Sequence, residues 1–127
     1  MIIIGHPWVE SSRFVQVDSI DKIRHTQPNE IVFLVSIKAS HEIAMHCQKN
    51  DVAYAVQAEE INDALFANAL GAKYIVCKQD QAKQIQIIAN EYLFDSRILT
   101  LIETEDQLQK IAKEGIDGVL FQDAISF

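Results

Sequence analysis

The chain has 127 residues, an ordinary length for one domain, and 49% of them are hydrophobic while 23% are charged. Its formal net charge of −7 and its scattered lysines and arginines argue against binding to nucleic acid or to an anionic membrane, because both begin with clustered positive charge. With only two prolines and four glycines, we predict one folded domain over residues 1–127.

The first thirty residues contain two apolar runs, residues 1–4 and 13–17, which predict an N-terminal pair of strands. A short helix is expected from Asp18 or Ser19, either of which can cap it, to His25. Periodicity leaves two arrangements open for the strand pair: it either forms a hairpin, or its second strand begins a separate βα unit.

From Glu30 onward, short apolar runs alternate with helical segments. The runs are continuous rather than alternating, which is typical of strands buried on both faces. Ser40 and Thr104 are suitable N-caps, and Gly71 and Gly115 suit the C-terminal ends of helices. The predicted strands are 31–35, 52–56, 74–77, 98–102 and 119–121, and the predicted helices are 40–49, 59–70, 79–94 and 104–114.

A βα repeat this short has room for a strand, a crossover helix and tight turns, so successive strands should run parallel. We therefore predict an α/β fold with a mostly parallel sheet of six or seven strands and helices on both faces. Two layouts fit this pattern, one flavodoxin-like and the other a half-barrel. The chain is too short for the eight strands and roughly 250 residues of a complete (β/α)-barrel.

Two stretches carry a local resemblance to known enzymes. Residues 64–76, ALFANALGAKYIV, and residues 104–120, which include GIDGVL, resemble βα units of phosphate-binding (β/α)-barrel enzymes. That resemblance implies an active site at the carboxyl ends of the strands and a phosphate held by glycine-rich loops. The loops after Ile102 and Phe121 contain no glycine, so the phosphate site is not carried over.

The remaining motifs exclude several chemistries. In HEIAMH the two histidines, His41 and His46, are five residues apart, whereas the zinc-protease motif needs them four apart on one helical face. No glycine-rich nucleotide motif or nucleophile elbow occurs. Carboxylates follow several predicted strands, where they could hold a divalent cation or act as acid and base, but they suit helix N-termini better. They are Glu59, Glu60, Asp80, Glu103, Glu105, Asp106 and Asp123. We predict no metal and no cofactor.

Polar residues at the carboxyl ends of strands are the best candidates for a site, since open α/β sheets bind ligands there. His6, Ser36, Lys38, His41 and Lys78 would meet there if their strands are neighbours, with Gln57 beside them. This mixture suits a small polar or carboxylated ligand. The candidates for catalysis are His6, Lys38, His41 and Lys78.

The segment GHPWVESSRF, residues 5–14, follows the first strand and carries the only tryptophan. We expect it to form a pocket wall or a partner's contact surface through His6, Trp8, Glu10, Ser11 and Arg13. The C-terminal residues 124–127 are a second candidate for such contacts.

Two functional hypotheses follow. The first is a non-catalytic domain that binds a small molecule or a protein partner, with a homodimer as one form of the latter. The alternative is a small lyase- or isomerase-type enzyme with a histidine base and a lysine electrophile at the sheet edge. Cys47 and Cys77 lie in apolar surroundings, outside any metal-binding spacing, and no apolar run approaches the ~20 residues of a membrane span. The N-terminal residues also lack an export-signal pattern, so a soluble, cytoplasmic protein with free thiols is expected.

Overall fold

Strands and helices alternate along the chain in a computed structural model that describes residues 1–127. The strands are β1 (Ile2–Ile4), β2 (Arg13–Gln16), β3 (Glu30–Leu34), β4 (Tyr54–Gln57), β5 (Tyr74–Cys77), β6 (Arg97–Ile102), β7 (Gly118–Phe121) and β8 (Ile125–Ser126). The helices are α1 (Ile20–Ile23), α2 (Ile37–Lys49), α3 (Ile61–Ala69), α4 (Gln79–Glu91) and α5 (Leu108–Lys113), with 3₁₀ turns at Glu105–Gln107 and Gln122–Ala124.

All eight strands form one parallel sheet in the order β1-β7-β6-β5-β4-β3-β2-β8. The predicted α/β class and parallel sheet are confirmed. The strand count exceeds the predicted six or seven because the chain end adds β8, a two-residue strand beside β2. The N-terminal strands β1 and β2 are not adjacent, so the hairpin arrangement is excluded.

The sheet curls around a core that no α-helix enters. Seven strands and the last 3₁₀ turn contribute to one cluster of nine buried side chains: Ile4, Phe14, Ile31, Phe33, Ala55, Val76, Leu99, Leu120 and Ala124. Near its centre the Phe14 ring stacks on Tyr74, with ring centroids 5.7 Å apart. No helix residue enters this cluster, so the inner face of the sheet packs against itself.

All five helices pack on the outer face, in a second cluster of 24 buried residues that partly buried Ile23, Ile61 and Leu108 also join. The half-barrel layout is therefore the correct one, and the expectation of helices on both faces is wrong. The physical reason is the curl, which brings the inner faces of opposite strands into contact. Both strand faces are apolar in either layout, so the sequence pattern is the same for both.

Gly118 marks a tight point in this curl. It pairs with Ile2 on one side and with Leu99 on the other. A Cβ atom at Gly118 would lie 2.5 Å from the Ile2 carbonyl oxygen and 2.8 Å from Leu99 Cδ2. The absence of a side chain therefore lets the inner faces of β1, β7 and β6 approach closely.

Helix ends follow the predicted capping chemistry with one exception. Thr104 and Gln107 form the predicted capping box. Helix α2 begins at Ile37 rather than at Ser40, because the Ser36 hydroxyl accepts a hydrogen bond from the Ala39 amide. Ser40 instead lies buried inside α2 at a kink. None of the helices has both the length and the apolar composition needed to cross a membrane.

Candidate functional site

The carboxyl ends of the parallel strands open together at one end of the half-barrel, which we call the mouth. Side chains alternate between the two faces of a strand, so the inner-face residues Phe33, Ala55 and Val76 predict which later residues reach the mouth. The residue two positions later is Val35 after Phe33, Gln57 after Ala55 and Lys78 after Val76. The mouth is thus a direct continuation of the inner core.

A cavity of about 520 Å³ occupies the mouth. Its apolar lining comes from the inner face of the sheet and from the chain end, and four polar residues complete it. The lining residues are Phe33, Val35, Gln57, Lys78, Leu101, Gln122, Asp123, Ile125 and Phe127. An apolar surface with a few converging polar groups is the usual composition of a small-molecule site.

The four polar side chains of this cavity, those of Gln57, Lys78, Gln122 and Asp123, have no partner within the protein. None of them forms a side-chain hydrogen bond or an ion pair in the structure. Lys78 is the only cation in the lining and Asp123 is the only anion. All four groups are therefore free to bind a ligand.

Lys78 also borders two shallower depressions of about 440 and 340 Å³ on either side of its strand end. Their linings include the carboxylates of Asp80, Glu103, Glu59 and Glu60. No group of three or more histidine, cysteine or acidic side chains is arranged to hold a metal ion. Lys78 is thus the only lysine or arginine in these linings, and the carboxylates around it, of which Glu60 is paired with Lys38, form an acidic rim.

Cys77 precedes Lys78 but lies on the opposite face of β5. Its side chain is fully buried in the outer core, and Sγ approaches the Leu99 carbonyl oxygen at 3.6 Å. Burial, with a smaller contribution from Asp80, raises the pKa of the Cys77 thiol to about 12. A thiol that is both buried and protonated is not a nucleophile for the mouth.

His6 lies away from the mouth. Strict alternation from Ile4 would turn its side chain inward, but Gly5 has a φ of +97° and redirects the chain. The His6 ring therefore sits on the outer side, with its centroid 5.5 Å from that of Phe121. A Cβ atom at Gly5 would lie 2.8 Å from the Ala124 Cβ, so this turn requires glycine.

Both ring nitrogens of His6 are engaged. The Trp8 amide donates to Nδ1 at 3.1 Å, so the hydrogen of the neutral ring is on Nε2. Nε2 donates in turn to Glu105 Oε2 at 2.9 Å. With one nitrogen accepting and the other donating, His6 holds the segment after β1 against the 3₁₀ turn before α5.

A groove of about 470 Å³ runs beside this contact. Its apolar lining is Ile3, Trp8, Val9 and Leu108, and its polar lining is His6, Glu105, Asp106 and Gln109. The Trp8 side chain is 88% exposed, and its indole N–H has no hydrogen-bond partner. We call this surface the Trp8 groove.

The other predicted site residues have separate surroundings. Lys38 forms an ion pair with Glu60 at 3.7 Å, and His41 Nδ1 lies 3.2 Å from the Lys38 carbonyl oxygen. Ser11 Oγ accepts from the Gly5 amide, while Glu10 is exposed and unpaired. Arg13 donates to the Asp123 carbonyl oxygen and to Ser126 Oγ, joining β2 to the chain end.

The structure thus brings Gln57 and Lys78 together at the mouth and leaves His6, Lys38 and His41 outside its lining. Ser36 is used as a helix cap. Sequence reasoning missed Gln122, although the two-residue period from Leu120 on β7 predicts that it reaches the mouth. For Asp123, the sequence pattern favoured a helix-capping role over a cation-binding or acid–base role. No protein-family model and no curated protein matches the sequence.

Proposed function

We propose that the domain is a non-catalytic binding module for a small carboxylated ligand, which it holds in the mouth cavity. The observation that carries this proposal is the set of four unpartnered polar side chains above an apolar floor. Lys78 would pair with the carboxylate, since it is the only cation in the cavity and forms no ion pair. Gln57 and Gln122 can each donate and accept hydrogen bonds with the rest of the ligand.

The apolar lining supports a ligand with a hydrocarbon or aromatic portion. The opening of the cavity is bordered by Val35, Ile125 and Phe127. Its floor is formed by Phe33 and Leu101, which also pack in the inner core. Asp123 adds one negative charge, which favours a ligand that also carries an amino group. An isolated carboxylate without such a group would meet the acidic rim and bind less well.

The alternative, a lyase- or isomerase-type enzyme with a histidine base, has weaker support. The cavity lining contains no histidine, and His6 is held on the outer side by Glu105 and Trp8. A Schiff-base version of the enzyme needs only Lys78. It is tested by treating the protein with pyruvate and cyanoborohydride at neutral pH and locating the modified lysine by mass spectrometry.

Binding is tested by NMR titration with glutamate, phenylalanine and phenylacetate, and the controls are the same molecules with every carboxylate converted to a carboxamide. We expect shifts of the Gln57 and Gln122 side-chain amides with at least one carboxylate, and about a tenfold or greater loss of affinity in Lys78→Met, the effect of one charge-assisted hydrogen bond. The matched control Lys83→Met removes a lysine from α4, the helix that begins directly after Lys78, outside the cavity, and should bind normally. Equal binding of acids and amides, or an unaffected Lys78→Met variant, would contradict the proposal. Selective trapping of pyruvate on Lys78 would favour the enzyme.

A further inference from the structure

We propose that the Trp8 groove is a docking surface for a protein segment that presents a basic side chain next to an apolar one. The groove lies on the outer side of the half-barrel, and the mouth cavity shares no lining residue with it. This second site is therefore independent of the small-molecule site.

The first observation is that the chain around Trp8 is held firmly while the indole is left in solvent. The Trp8 amide donates to His6 Nδ1, the Val9 amide to the His6 carbonyl oxygen, and the Gly5 amide to Ser11 Oγ. His6 itself is tied to Glu105. An exposed tryptophan on an ordered segment loses little conformational entropy on binding, which is why tryptophan is enriched among the residues that dominate interfaces.

The second observation is the apolar surface that adjoins the indole. Ile3, Val9 and Leu108 line the groove, and Val9 is 40% exposed. Together with Trp8 they offer one contiguous apolar strip that an aliphatic side chain of a partner would cover. Such strips beside an exposed aromatic residue are typical of protein contact surfaces.

The third observation is charge, and it selects the partner. Glu105 and Asp106 border the groove, and no lysine or arginine is in its lining; the nearest lysines, Lys83, Lys110 and Lys113, line an adjoining depression that shares Asp106 and Gln109 with the groove. A basic side chain that enters the groove would therefore face two carboxylates, Asp106, which has no partner, and Glu105, which also accepts from His6. A second copy of this chain fits poorly. A twofold contact would place Glu105 and Asp106 of one molecule against the same two residues of the other, and each molecule has a formal charge of −7.

The test is selection of short random peptides displayed on phage, retained by the wild-type protein and depleted on the Trp8→Ala variant. We expect enriched peptides with lysine or arginine adjacent to leucine, isoleucine or phenylalanine. The most enriched peptide, synthesised, should bind with a blue shift of the single tryptophan's emission and should bind more weakly as salt is raised.

Variants then locate the contact by calorimetry with that peptide. Trp8→Ala should lower affinity by about tenfold or more, the effect of a hot-spot residue, and Asp106→Asn should lower it severalfold. The matched controls are Phe66→Ala, another exposed aromatic residue, and Glu91→Gln, an exposed acid on α4; both should leave affinity unchanged.

Three results would overturn the proposal: no sequence enriched against Trp8→Ala, enrichment of acidic peptides, or equal affinity in Trp8→Ala. A concentration-dependent dimer in sedimentation that Trp8→Ala abolishes would assign the surface to a second copy instead. Lys78→Met leaves the Trp8 groove intact. Peptide binding to that variant should therefore be unchanged, whether or not the variant still binds a ligand in the mouth cavity.

Discussion

His6 Nε2 donates to Glu105 Oε2 at 2.9 Å and so joins two segments that are 99 residues apart in the sequence. The first segment follows β1, and the second precedes α5, which leads into β7. Strands β1 and β7 are paired in the sheet. The contact therefore depends on the first and last βα regions meeting, and it sets the position of Trp8.

The His6→Ala variant tests this role. The His6 side chain is 14% exposed and that of Glu105 is 62% exposed, so the ion-pair component contributes less than about 1 kcal/mol to the free energy of unfolding. Loss of the largely buried ring and its contact with Phe121 should lower the urea midpoint moderately, and the fluorescence anisotropy of Trp8 should fall because its amide loses an acceptor. His25→Ala, which removes an exposed histidine without side-chain contacts, is the control. Unchanged anisotropy in His6→Ala would show that His6 does not hold the indole.

Gly5→Ala should be markedly destabilising. A Cβ at this position meets Ala124 Cβ at 2.8 Å and Phe121 Cβ at 3.1 Å, in a backbone conformation with φ of +97°. The strained φ and the overlap together should cost about 2 kcal/mol or more. Gly115→Ala is the matched control, since its φ is +72° but no atom lies within 4 Å of the added Cβ, and it should cost about 1 kcal/mol. Equal urea midpoints for the two variants would contradict the predicted close approach.

The inner core should dominate stability. Phe14 is completely buried and contacts the rings of Tyr74 and Phe33, so Phe14→Ala should lower the free energy of unfolding by about 3–5 kcal/mol. Phe66→Ala removes the same ring from a side chain that is 63% exposed and should change it by less than about 0.5 kcal/mol. Denaturant unfolding followed by circular dichroism measures both. Comparable losses would mean that the sheet does not enclose Phe14.

The two cysteines give the protein a pH-dependent stability at alkaline pH. Burial raises the pKa of Cys47 to about 11, and that of Cys77 to about 12, from the ordinary thiol pKa of 9.0. The unfolded chain thus loses these protons at lower pH than the folded one. Stability is unaffected by the thiols below about pH 9 and falls as the pH rises from there through 11 to 12.

Thiol reactivity gives an independent measurement of that burial. At pH 8 both cysteines should react with a disulfide reagent only as fast as the protein opens, and both should react rapidly in denaturant. Cys77, which lies on an interior strand of the sheet, should be more strongly protected than Cys47 on α2. Rapid labelling of either thiol in the native protein would contradict the packing of α2 or of β5.

The mouth could be predicted in part. A lysine after β5 and a glutamine at the end of β4 were identified because both end apolar runs, and ligand sites of parallel sheets lie at those ends. Gln122 was missed because the apolar run of β7 ends at Phe121, and the two-residue period was not extended past that end. His6 was expected near Lys78, but the positive φ of Gly5 turns it outward, and a glycine by itself does not reveal its backbone angle.

The sequence by itself determined the secondary structure and the parallel α/β class. Continuous apolar runs, helical stripes and caps such as Thr104 act over a few residues, so they can be read in chain order. Tertiary structure decided which face of the sheet the helices cover, since the strands are apolar on both sides. It also decided that the strands curl around Phe14, that β8 pairs with β2, and that Lys78 and Trp8 belong to different surfaces. These features depend on contacts between distant segments, which local patterns do not encode.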